Sequence, residues 1–64
     1  MGAGLKYDEA TLRHWITAIQ EEGRGLTTWE EEFVESVADQ LERRGSLSQA
    51  QTDTLERIYA EKTP

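Results

Sequence analysis

Apolar residues fall at helical spacing in three separate stretches of this 64-residue chain. In the first, Leu12, Trp15, Ile16 and Ile19 occupy positions i, i+3, i+4 and i+7, one face of a 3.6-residue helix. In the second, Trp29, Phe33, Val37 and Leu41 recur at every fourth residue, with Val34 flanking them. The third is shorter: Leu55, Ile58 and Tyr59, with Leu47 just ahead of them. No stretch alternates with the period of two that marks a half-buried strand. The pattern predicts an all-α fold.

Local signals set the helix ends. Asp8 can cap the first helix, and Tyr7 before it can pack on Leu12 as a hydrophobic staple. Gly23 suits the left-handed position that closes a helix. Thr28 followed by Glu31 reads as a capping box for the second helix, and Thr27 with Glu30 serves almost as well. Glutamates in the first turn and Arg43 and Arg44 in the last both suit the helix dipole, and Gly45 supplies the stop. Ser48 and Gln51 form a second capping box. Asp53–Arg57 and Arg57–Glu61 are i, i+4 pairs, each contributing about 0.2–0.5 kcal/mol. The expected organisation is an N-terminal arm over 1–6, one compact three-helix domain over 7–62 and a tail at 63–64. Its helices run over about 8–22, 28–44 and 48–61. The short joint at Gly45 makes helices 2 and 3 an antiparallel hairpin. The expected core is Leu12, Trp15, Ile16, Ile19, Phe33, Val37, Leu41, Leu55, Ile58 and Tyr59.

Composition narrows the functional classes. A chain this short buries only about 60% of the surface it exposes unfolded, so a partner or self-association is a plausible source of extra stability. With no cysteine, disulfides and thiolate zinc sites are excluded. No export signal is evident and no apolar run approaches the roughly 20 residues that cross a bilayer, so a cytoplasmic protein is expected. His14 is the sole histidine and lies opposite the Leu12/Ile16/Ile19 stripe, with no triad arranged around it. Gly23-Arg24-Gly25 lacks the spacing of a phosphate loop. The expectation is a non-enzymatic protein without metal or cofactor.

Charge gives the one positive clue. Thirteen acidic residues against seven basic ones leave a net charge of −6. Glu31, Glu32, Glu35, Asp39 and Glu42 cluster on one side of helix 2, expected opposite Phe33 and Val37. Glu31–Glu35 and Glu35–Asp39 are like-charge pairs at i, i+4, each costing a few tenths of a kcal/mol, with local relief only from Arg43. Such a stripe commonly serves as a solvated face. Its self-repulsion also suits a docking surface for a protein with a basic surface. Glu35 and Asp39 are about 6 Å apart along the axis, so the row can stand in loosely for backbone phosphates. An inhibitor occupying a nucleic-acid-binding cleft is one version of that partner model.

Two alternatives come from other residues. Trp15 and Trp29 are expected in the core, although leftover apolar surface from either would suit a homodimer contact. Helices 2 and 3 could form a helix-turn-helix in which Arg43, Arg44 and Gln49 touch DNA. Asp53, Glu56 and the global charge oppose direct nucleic-acid binding.

From Leu26 to Lys62 the chain reads Leu-Thr-x-Trp-Glu-x-x-Phe, then Leu-Ser-x-x-Gln-x-x-x-Leu-x-x-Ile. The matching residues are Leu26, Thr27, Trp29, Glu30, Phe33, Leu47, Ser48, Gln51, Leu55 and Ile58. This pattern resembles a segment of small phage and prophage proteins, and the tail of some larger phage-type proteins linked to DNA replication or recombination. The resemblance covers a little over half the chain and implies a mobile-element origin and an accessory binding role. Relatives carrying a zinc-binding cysteine cluster differ from this chain, which has none.

Overall fold

The computed structural model describes residues 7–64, so the expected arm over 1–6 lies outside the described residues. Three helices follow in order, α1 (Glu9–Glu22), α2 (Thr28–Arg44) and α3 (Gln49–Lys62), with no strand among the described residues. α1 packs against both of the others, and most extensively against α3.

Side-chain ties fix the helix directions. Near the α2–α3 joint, Gln40 and Gln51 pair through both amides, Nε2 of each donating to Oε1 of the other at 3.0 and 2.9 Å. At the opposite end, Lys62 of α3 reaches Glu30 of α2 at 3.7 Å. α2 and α3 are therefore antiparallel. α1 runs alongside α3: the Tyr7 hydroxyl donates to Glu56 at 2.8 Å, Trp15 stacks on Tyr59, and the Arg24 N–H donates to the Lys62 carbonyl at 2.9 Å.

The caps explain the helix starts. Asp8 accepts from the Thr11 N–H at 2.9 Å, and Ser48 and Gln51 form the reciprocal capping box. α2, however, is capped by Thr27 with Glu30 rather than by Thr28 with Glu31. This arrangement frees Glu31 to face solvent and lets Glu30 also meet Lys62. Thr27→Ala should therefore cost about 1 kcal/mol and Thr28→Ala much less, as read from urea unfolding midpoints.

The two stop glycines work differently. Gly45 has φ of 75° and takes the left-handed position. Gly23 does not: its φ is −66° and its ψ 142°, so the expected left-handed closure is corrected to an extended one. Glycine is needed there because a Cβ would run into the Ile19 carbonyl, which the Gly23 N–H approaches at 2.9 Å.

The buried core is Leu12, Trp15, Ile16, Ile19, Val34, Val37, Leu41, Leu47, Leu55 and Ile58. Phe33 and Tyr59, expected inside it, are only partly buried against it. Trp29, also expected inside, is 58% exposed and lies over Phe33, the rings stacked 5.2 Å apart. The reason is geometric. Four residues turn a helix by about 400°, so a strict i+4 series drifts about 40° per step and Trp29 ends about 120° from Leu41. Val34, at i−3 from Val37, takes the inward position instead. Tyr7 sits half-buried with its ring edge-on to Trp15 at 4.6 Å, so its aromatic partner lies one turn beyond the expected Leu12. The expected Asp53–Arg57 and Arg57–Glu61 ion pairs do not form; Asp53 accepts from Gln49 Nε2 at 3.0 Å.

Two capping carboxylates couple the fold to pH. The Asp8 pKa is lowered by its bond from the Thr11 N–H, and that of Glu30 by the Thr27 N–H and then by the Lys62 charge. A depressed carboxyl binds its proton more weakly folded than unfolded. Its contribution is thus present above the usual carboxylate range and lost as pH falls through the folded value. Thermal melts should shift downward below about pH 4, and Asp8→Asn, which caps without ionising, should flatten that dependence.

Candidate functional site

The turns of α2 place Glu31, Glu32, Glu35, Asp39 and Glu42 on one exposed shoulder. Because Val34 and Leu41 point inward, Glu31, Glu35, Asp39 and Glu42 lie to one side of the buried stripe, on the flank nearest α1. Glu31 and Glu35 edge a cavity of about 230 Å³ over Ile19, Leu26 and Val34. Asp39 and Glu42 edge a second, also about 230 Å³, over Ile16, Ala38 and Leu41. Glu32 borders neither cavity.

Few cations answer these charges. Arg43 Nε meets Asp39 at 3.1 Å, an exposed pair of the kind that contributes little. Arg13, across the groove on α1, is held by Glu9 at 2.7 Å. Among the described residues, no ion pair or hydrogen bond engages the side chains of Glu31, Glu32, Glu35 or Glu42. Glu30 is drawn away from the row by Thr27 and Lys62, where its depressed pKa keeps it ionised.

The residues of the DNA-reading alternative are arranged less favourably. Arg43 is tied to Asp39 and Gln49 to Asp53. Arg44 borders a polar depression with Ser36 and Gln40. His14 is exposed with its ring 6.1 Å from that of Tyr59. Among the described residues no three of His, Cys, Asp and Glu gather as a metal-binding group, and no helix is long and apolar enough to cross a membrane.

Two features escape the linear pattern. One is the exposed Trp29–Phe33 stack, which the drift of the i+4 series would have revealed. The other is the pair of cavities beside the carboxylates, which exists only because α1 lies next to α2. Compared with known proteins, the chain matches no family model, no curated protein and no solved structure. Most of those carrying the phage-type resemblance do structural work here: Thr27, Glu30, Ser48 and Gln51 cap helices, and Leu47, Leu55 and Ile58 are buried.

Proposed function

We propose that this chain is a small, non-enzymatic accessory protein that acts by binding a cytoplasmic protein partner with a basic surface. Glu31, Glu32, Glu35, Asp39 and Glu42 are the contact residues. The observation that carries this reading is the row of exposed carboxylates, of which, among the described residues, only Asp39 forms an ion pair. A row left uncompensated in the free protein costs folding energy that an oppositely charged partner returns. Its spacing also suits a nucleic-acid-binding cleft, where the protein would act as an inhibitor in place of phosphates. The resemblance of its second and third helices to phage and prophage proteins supports a mobile-element setting for this role.

A homodimer is favoured by one observation, the exposure of Trp29. One indole over a half-covered phenyl ring falls far short of the ~800 Å² per partner that a standard interface buries. Two chains of charge −6 also repel. Sedimentation equilibrium is expected to give a monomer.

The binding reading is tested with a partner captured from the native host on immobilised protein and then purified. Its affinity should fall steeply with added salt, since exposed charges more than a Debye length apart, about 8 Å at physiological ionic strength, are screened. Salt-independent binding would place the contact elsewhere on the surface.

A further inference from the structure

The groove between α1 and α2 refines the binding reading, on which this inference rests, by specifying the form of the partner. The two cavities follow one another along α2, one beside Val34 and the next beside Leu41. Seven residues separate these positions, about 10 Å at 1.5 Å per residue. That is also the separation of apolar side chains at i and i+7 on a second helix. Along the rim, Glu31, Glu35, Asp39 and Glu42 recur every three or four residues, so the carboxylates repeat with the helical period. A helix laid in the groove would meet one carboxylate per turn.

The walls are unequal in charge. α2 contributes these acids, whereas α1 contributes the neutral, exposed Thr17 and Gln20, together with Arg13, whose charge Glu9 already holds. Charge complementarity thus selects a cationic occupant, and the net charge of −6 rejects a second copy of the chain. We infer that the α1–α2 groove receives an amphipathic, lysine- or arginine-bearing helix of the protein partner. That helix seats two apolar side chains one heptad apart and lies on the bundle as a fourth helix.

Two synthetic peptides serve as probes: a lysine/leucine helix with leucines at i, i+3 and i+7, and an oligolysine of equal length and charge. Calorimetry at low salt should show the amphipathic peptide binding at least about tenfold more tightly. Its addition should shift the methyl resonances of Ile16, Ile19, Leu26 and Val34 in the unmodified protein. Thr17→Phe, which fills one cavity from an exposed position, should remove the preference while leaving oligolysine binding in place. Equal affinities with no methyl shifts would overturn the groove and leave the acidic shoulder standing. Binding of neither peptide, or binding unchanged by Glu35→Lys with Asp39→Lys, would overturn the shoulder and the groove together.

Discussion

Trp15→Ala is expected to leave most of the protein unfolded at room temperature. Trp15 is 8% exposed and sits between Tyr7, edge-on at 4.6 Å, and Tyr59, stacked at 5.6 Å, so it joins the start of α1 to α3. Removing a buried indole typically costs about 3–5 kcal/mol, because packing is lost and a cavity remains. A single core in a domain of this size rarely supplies more than about 3–5 kcal/mol in total. The cost therefore matches the whole stability. Trp29→Ala should behave differently: it loses a stack worth about 1 kcal/mol on a face that is already wet. Circular dichroism checks the first outcome, as a collapse of helical signal for Trp15→Ala alone. Fluorescence checks the second, since iodide should quench Trp29 emission readily in the Trp15→Phe variant and barely touch Trp15 in the Trp29→Phe variant.

That contrast also shows what the linear pattern could and could not convey. The first helix was legible because Leu12, Trp15, Ile16 and Ile19 stand at i, i+3, i+4 and i+7, and all four are buried. The third was legible from Ser48 and Gln51, whose cap forms as expected. The second misled because its most conspicuous residues stand four apart, and such a series winds around the helix. Thr27 and Thr28 were indistinguishable as caps by type. The choice falls on Thr27 because its partner Glu30 is the glutamate within reach of Lys62, a contact between residues 32 positions apart in the chain and invisible to local reading.

The site divides in the same way. That five carboxylates share one side of α2 follows from helical geometry alone. That they overlook two cavities depends on where α1 packs, and hence on Val34 rather than Trp29 pointing inward. Gln51 shows the same division: its capping role is local, while its pairing with Gln40 needs the folded hairpin.

The second large effect is expected on binding, from Glu35→Lys with Asp39→Lys. Reversing both charges removes two attractions and creates two repulsions. At about 0.2–1 kcal/mol for each exposed contact, the total is about 2 kcal/mol, or roughly thirtyfold in affinity at low salt. Much of the loss should appear as slower association, the signature of steering by opposite charges. Stability should hardly change. The substitutions turn the like-charge pair Glu31–Glu35 into an attractive one, worth a few tenths of a kcal/mol, while positions 35 and 39 stay like-charged with the sign reversed. Against that, Asp39→Lys gives up the 3.1 Å pair with Arg43 and sets two cations one turn apart. These terms are of similar size and opposite sign, and neither residue is buried.

The most direct measurement is a low-salt titration of the purified partner with the parent protein and with this double variant, both verified as folded by circular dichroism. The account predicts weakening of roughly thirtyfold, with the difference shrinking as salt is raised. Equal affinities for the two proteins at low salt would contradict it and leave the row on α2 as a solvated face.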